Sequence, residues 1–236
     1  MRQECAIVPL FGIKYRRLQN IYYLCAIYMY MMSIRRISIC VAMAFIAIAM
    51  VACKNDTDTV LTKQQSSIES YLTGGHKPRL IEESKVGESL DENPQFYTRW
   101  DMDIYRYIST YYDEGREDRA EIYNGTKFDM VYTAYIFNNG APAVADMFAT
   151  NDPDSIEQLK QAGLNTSYEW STEPMSITLG SSSLVGGLET ALEGCREGDS
   201  VEIYLTYIEA YGNDYIGKVP SKSSVVWFID IVDVKE

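Results

Sequence analysis

The stretch from Leu184 to Gly212 constrains the fold of this chain more than any other part of the sequence. It reads LVGGLETALEGCREGDSVEIYLTYIEAYG, which predicts a short helix, a glycine turn, an alternating strand and an Ala-Tyr-Gly bend. The helix stripe consists of Leu184, Val185, Leu188, Leu192 and Cys195, and the buried strand face of Val201, Ile203 and Leu205. Such alternation fits an antiparallel strand with one buried face. A helix that buries its stripe against a sheet of such strands predicts an α+β domain.

Gly186 and Gly187 lie at the start of this helix, which we expect to begin at residues 181–183. Each glycine costs about 1 kcal/mol relative to alanine in a helix. We therefore expect the start of the helix to pack closely against other backbone. The pair has no preceding strand and no following Lys-Ser or Lys-Thr, so it is not a phosphate-binding loop.

Other segments supply the rest of the predicted sheet. Residues 96–112 are dense in aromatic and β-branched residues, and residues 225–234 alternate like 201–206. Residues 128–137 end at Asn138-Asn139-Gly140, which favours a tight hairpin. Three shorter elements complete the list: a helix over 60–72, an edge strand at 79–81, and a helix over 156–162 that Asp154 or Ser155 caps and Gly163 ends. The sequence thus predicts a curved antiparallel sheet wrapped on a short central helix.

The N-terminal part has the pattern of a bacterial lipoprotein signal peptide. Met31 to Arg36 form a short basic region, Ile37 to Val51 an uncharged apolar run, and small residues precede Cys53. The apolar run spans only about 22 Å as a helix, less than the roughly 30 Å of a bilayer core. We expect acylated Cys53 to hold the protein on a membrane, as an outer-membrane lipoprotein facing the periplasm or the outside. The polar tether after Cys53 is similar to those of Bacteroides-type lipoproteins.

Residues 1–30 do not fit a signal peptide, because they place a second, Tyr-rich apolar stretch before the basic region. One interpretation is an upstream extension from a misassigned start, with the true start at Met31 or Met32. The alternative is a hairpin of two membrane segments with Arg35 and Arg36 in its turn. The expected organisation is an extension over 1–30, a signal peptide over 31–52, a tether and stalk helix over 53–95, and a folded domain over 96–236.

Composition excludes several functions. Residues 53–236 keep 15 of the 21 basic and 32 of the 33 acidic residues, a net charge of about −17 without a basic cluster, so nucleic-acid binding is not expected. Cys195 is the only cysteine after Cys53, which leaves no disulfide or cysteine metal site. His76, the only histidine, is expected in an exposed turn and is a poor catalytic base. Scattered carboxylates leave a hydrolase as a minor alternative, and no cofactor is expected.

The order of motifs from Leu184 to Gly212 resembles the C-terminal half of FKBP-type peptidyl-prolyl cis-trans isomerases. The likeness continues through Val219-Pro220 and the strand from Val225, and upstream to Val131-Tyr132-Thr133-Ala134, so it covers about half of the chain. It implies an FKBP-like domain over 96–236, with an insertion over 149–173 in place of a short loop. Prolyl isomerisation needs no metal or proton transfer, because its barrier of about 18–20 kcal/mol comes from amide resonance, which an apolar pocket can weaken.

The resemblance also assigns site residues. Tyr211 corresponds to the family tyrosine whose hydroxyl donates to the bound carbonyl, Tyr132 to the tyrosine of the Tyr-Thr-Gly motif, and Asp146 to the acid at the pocket edge. The apolar walls correspond to Met175, Leu184, Val185, Leu188, Val219 and Trp227. The chain departs from the family where Leu188 replaces a tryptophan, Met175 replaces an aromatic residue, and Ala134 replaces a glycine. The family's Phe-Asp pair aligns with Val144 and Asp146 only across extra residues after Gly140.

Two functions therefore stay open. The first is a lipid-anchored protein that binds prolyl or unfolded polypeptide, as a peptidyl-prolyl isomerase or a chaperone. The second is a non-catalytic module for an envelope partner or a ligand. The insertion is expected to be a lid, a partner surface or a variable loop.

Overall fold

The computed structural model describes residues 59–88, 92–181 and 184–235, which belong to one compact unit. The expected extension, signal peptide and lipidation site at Cys53 lie outside these residues, as do Ser182 and Ser183 at the expected helix start. No helix within the described ranges is both long and apolar enough to cross a bilayer.

Eight strands form one open, curved sheet, which confirms the α+β prediction. The strands are β1 (Ile81–Glu82), β2 (Phe96–Trp100), β3 (Ile104–Ile108), β4 (Lys127–Ile136), β5 (Met147–Thr150), β6 (Met175–Thr178), β7 (Ser200–Leu205) and β8 (Val225–Lys235). Their order is β1-β2-β3-β7-β8-β4-β5, with β6 also paired to β4. Every pair is antiparallel except β1 with β2. The predicted edge strand near residue 80 is therefore present as β1.

Among the described residues, three α-helices accompany the sheet. They are α1 (59–70), which continues into a π-helical turn at Tyr71–Gly75, α2 (Pro153–Gln161) and α3 (Gly186–Leu192). The cap of α2 is Asp152, whose carboxylate accepts from the Ser155 backbone N–H at 2.8 Å, and not Asp154 or Ser155 as expected. Pro153 occupies the first helical position of α2, where a backbone N–H has no partner within the helix. Its missing N–H therefore costs nothing, and Asp152, the residue before it, becomes the cap.

Strands β5 and β6 lie along the same edge of β4. Strand β5 pairs with residues 133–135 of β4, and β6 with residues 127–130. The chain between them, residues 151–174, leaves that edge and returns to it. Residues 149 and 150 of the expected insertion belong to β5. The extra segment is therefore residues 151–174, which lie between two strands, β5 and β6, on one edge of β4.

Helix α3 packs on one face of the sheet, where Leu188, Ala191 and Leu192 are fully buried. The expected close approach holds for Gly187 alone. A Cβ at residue 187 would lie 2.8 Å from the carbonyl oxygen of Glu209, whereas a Cβ at Gly186 would meet nothing within 4 Å.

Helix α1 covers the opposite face of the sheet. Its Ile68, together with Leu72 of the π-helical turn, packs with Tyr204 of β7 and Val226 of β8, all fully buried. The alternation predicted for β7 holds at Ser200 and Glu202, which are half-buried, but not at Tyr204. Tyr204 is fully buried on the second face because a helix more than a hundred residues earlier in the chain lies on it.

Two connections also differ from expectation. Residues 96–112 form a hairpin of β2 and β3, not one strand, because Asp101 and Met102 take positive φ values of 48° and 64° between them. Asn139 has the expected positive φ of 64°. The chain nevertheless passes through a 3-10 turn at Val144–Asp146 before β5, so no tight hairpin forms there.

His76 is buried, which corrects the expectation of an exposed turn. Its Nδ1 lies 2.7 Å from the Pro78 carbonyl oxygen and its Nε2 lies 2.8 Å from Glu202 Oε2. Both partners accept hydrogen bonds, so a doubly protonated ring satisfies both at once. Burial alone lowers the pKa of His76, but these two hydrogen bonds outweigh it and raise the pKa above its usual value. His76 therefore connects the end of α1 to the sheet.

A buried ion pair lies near the start of β7. Arg116 Nη2 donates to Asp199 Oδ2 at 2.7 Å and Arg116 Nε donates to Asp199 Oδ1 at 2.8 Å. The Asp199 carboxylate also accepts from the Arg196 backbone N–H at 2.8 Å. This bidentate geometry compensates the desolvation of both charges.

Candidate functional site

An aromatic cluster gathers residues that are far apart in the sequence. The ring centroids of Trp227 on β8 and Tyr132 on β4 lie 5.3 Å apart. Phe148 on β5 lies 5.8 Å from Trp227 and 6.1 Å from Tyr211, edge to face in both cases. The cross-strand neighbour of Trp227 on β4 is Ala134, whose small side chain leaves room for the indole.

Aliphatic side chains complete the surroundings of this cluster. Leu188 and Val219 are fully buried in the same core, and Met175, Leu184 and Val185 are half-buried against it. The predicted site residues other than Asp146 thus belong to one hydrophobic core or pack against it. Their roles in binding or catalysis stay predictions.

Asp146 lies in the 3-10 turn before β5, and its carboxylate accepts a hydrogen bond from Asn138 Nδ2 at 2.8 Å. It does not line the cleft described below. Phe148, which sequence reasoning missed, contributes an aromatic ring to this region. The apolar run Met147-Phe148-Ala149 was the available signal. The connection between β4 and β5 is long, so the sequence alone does not show which residue after it corresponds to the family's aromatic residue.

An open cleft of about 770 Å³ lies beside Tyr132 and Phe148 of the cluster, while Trp227 and Tyr211 lie behind these two and are not lining residues. Tyr132, Phe148 and Met175 line its sheet side. The inserted segment contributes Tyr168, Trp170 and Glu173, and the loop before β8 contributes Gly217 and Lys218. This volume is within the range of about 300–1,000 Å³ that is typical of ligand sites.

Several hydrogen-bond donors near the cleft have no partner among the described residues. Burial raises the pKa of Tyr132 and of Tyr211, and the neighbouring tyrosine hydroxyl adds to each shift, so both side chains are neutral donors at neutral pH. Within the described ranges the Tyr211 hydroxyl has no hydrogen-bond partner. The indole nitrogens of Trp170 and Trp227 are buried and also unpaired within that part of the chain. An unpaired buried donor costs about 1–3 kcal/mol, which a ligand carbonyl would recover.

The bend that carries Tyr211 is held at several points. Gly212 takes a φ of 62°, a conformation that favours glycine, and its N–H donates to the Tyr207 carbonyl at 2.7 Å. The Lys222 N–H donates to the Gly212 carbonyl at 3.0 Å. The Gly187 N–H donates to the Glu209 carbonyl at 3.2 Å, which ties the start of α3 to the same loop. Tyr211 is therefore positioned by both α3 and the loop.

Two observations concern metal-binding and nucleophilic side chains in the described part of the chain. No group of three or more His, Cys, Asp or Glu side chains is placed there to hold a metal ion. Cys195 is fully buried, and burial raises the pKa of its thiol to about 11, so it is protonated and inaccessible.

The fold and the site define an α+β domain that suits an apolar ligand bearing carbonyl acceptors. Residues 158–232 match the family model of FKBP-type peptidyl-prolyl cis-trans isomerases, which supports a domain of the FKBP type in this part of the chain. The matched range begins within α2 and ends within β8, so it contains Tyr211 and Trp227 but not Tyr132 or Phe148. A search of curated proteins finds no match.

Proposed function

We propose that this protein binds proline-containing polypeptide and acts on it as a peptidyl-prolyl isomerase or a chaperone, held on the cell envelope by a lipid at Cys53. The packing of Trp227, Tyr132, Phe148 and Tyr211 beside an open cleft supports this proposal most. It supplies apolar walls and carbonyl-binding donors in a domain of the FKBP type.

The proposed mechanism uses binding alone. As the prolyl amide twists, it loses resonance and becomes less polar, so apolar walls favour the twisted form over the planar one. The Tyr211 hydroxyl donates to a carbonyl of the bound segment and fixes its orientation, and the Trp227 N–H is a second candidate donor. A neutral hydrogen bond contributes about 0.5–1.5 kcal/mol, which is roughly a twofold to tenfold effect.

Two observations favour a non-catalytic binding module as the second candidate. Leu188 takes the place that a tryptophan has in the family, and the family's acid corresponds to Asp146, which does not line the cleft. Both changes keep the site apolar. They remove groups that the family resemblance associates with the isomerase pocket.

A prolyl-isomerisation assay on the full chain, read by NMR exchange with a short Phe-Pro peptide, tests the first function. Tyr211→Phe should lower turnover or affinity about twofold to tenfold without loss of stability. Leu188→Trp should raise activity. Tyr123→Phe is the matched control, because that ring is 63% exposed and does not line the cleft. Peptide binding without turnover would select the second function, and absence of both would remove the cleft from consideration.

Lipid anchoring is tested separately. Cys53→Ser should move the protein from the membrane fraction to the soluble fraction, because the acyl chains provide the expected anchor. Continued tight membrane association of this variant would favour the alternative in which the N-terminal residues form a membrane hairpin.

A further inference from the structure

We infer that residues 151–174, here called the insertion, form a second wall of the cleft and recognise the part of the peptide that flanks the proline. The recognised flank is an extended segment with a large apolar side chain and a basic residue. This inference rests on the proposed binding of prolyl peptides.

The base of the insertion is fixed next to Tyr132. Asn151 is only 4% exposed, and its Nδ2 donates to the carbonyls of Met130 at 3.1 Å and Glu173 at 3.0 Å. Its Oδ1 accepts from the Tyr132 N–H at 2.7 Å. One side chain therefore ties both ends of the insertion to β4. Ser155, at the start of α2, adds a hydroxyl contact to Thr133 at 2.9 Å.

An aromatic pair of the insertion faces the cleft. Tyr168 and Trp170 both line it, with ring centroids 4.6 Å apart in an edge contact. Tyr168 is 63% exposed, so its ring can still bury apolar area against a ligand. The Trp170 indole N–H is buried and unpaired among the described residues. Together they offer a stacking surface and a donor for a main-chain carbonyl.

The charge of this wall is acidic. The insertion contains Asp152, Asp154, Glu157, Glu169 and Glu173 against a single basic residue, Lys160. Glu173 is exposed and lines the cleft directly. Lys218 also lines the cleft and keeps its positive charge, although its ammonium is bonded to the carbonyls of Ala145 and Met147. Glu173 is the carboxylate of the insertion that lines the cleft, and it can pair with a lysine or arginine of the peptide.

The test compares two peptides on the full chain by fluorescence anisotropy. One is a tetrapeptide with a central Phe-Pro, and the other extends the same sequence on both sides with leucine and lysine. The parent should bind the longer peptide more tightly. Tyr168→Ala and Trp170→Phe should each reduce the ratio of the two affinities about fivefold, close to the effect of one neutral hydrogen bond. A third peptide has glutamate in place of lysine in the longer sequence, and Glu173→Gln should reduce the preference for lysine over glutamate.

Tyr123→Ala, an exposed tyrosine away from the cleft, is the control and should change neither affinity. Equal affinity of the parent for both peptides, or variants that bind like the control, would overturn the inference. The isomerisation assay reads the proposed function independently. A parent that does not isomerise the tetrapeptide but needs Tyr168 and Trp170 to bind the longer peptide would support the insertion's role in a binding module. If the parent binds neither peptide, both proposals are wrong.

Discussion

Replacing Gly187 by alanine tests how α3 is seated against the loop that carries Tyr211. The new Cβ would lie 2.6 Å from Glu209 Cβ, 2.8 Å from the Glu209 carbonyl oxygen and 3.0 Å from Leu205 Cδ2. Rotating the Glu209 side chain relieves neither of the two shortest contacts, because they involve its Cβ and its backbone oxygen. Overpacking of this kind costs about 1–3 kcal/mol. Alanine recovers at most about 1 kcal/mol in helix propensity.

Gly186 is the matched control, because a Cβ there meets nothing within 4 Å. We expect Gly187→Ala to lose about 1–2 kcal/mol in urea unfolding, which corresponds to a fall in Tm of about 2–8 °C for a domain of this size. Gly186→Ala should be neutral or up to about 1 kcal/mol more stable. Gly187→Ala should also weaken peptide binding, since the clash displaces the loop before Tyr211. Equal stabilities for the two variants would refute the described seating of α3.

Three further predictions concern stability. Trp227→Ala should lower the free energy of unfolding by about 3–5 kcal/mol in chemical denaturation, because the ring is 93% buried; a loss under about 1 kcal/mol would contradict its packing. Asp199→Asn should lose about 3–5 kcal/mol by leaving Arg116 buried without its counter-charge, and wild-type stability would show that the pair is dispensable. The raised pKa of His76 adds stability that is fully present below about pH 6.5 and is lost as pH rises through the folded-state pKa. Unfolding measured from pH 6 to pH 9 should show this decline, and Glu202→Gln should reduce it.

The sequence by itself determined the elements whose signals are local. Alternation in β4, β7 and β8 and the apolar stripe of α3 follow from the periods of strands and helices, so these residues predicted the α+β sheet and its helix. Most of the aromatic and aliphatic site residues followed from the same segments. The motifs determine where these residues lie along each strand, and the pairing of β4 with β8 then places Tyr132 and Trp227 next to each other.

The tertiary structure decided what depends on distant partners. Buried His76 has a hydrogen-bond partner in Glu202, which lies 126 residues away. Tyr204 is buried by α1, although its own segment has the pattern of a strand with one polar face. Phe148 joins the site because β5 pairs with β4 after a long connection, and Asn151 links both ends of the insertion to β4. A local pattern reports which side chains can be buried. Only the packing of distant elements determines whether a second face is covered and which polar groups become partners.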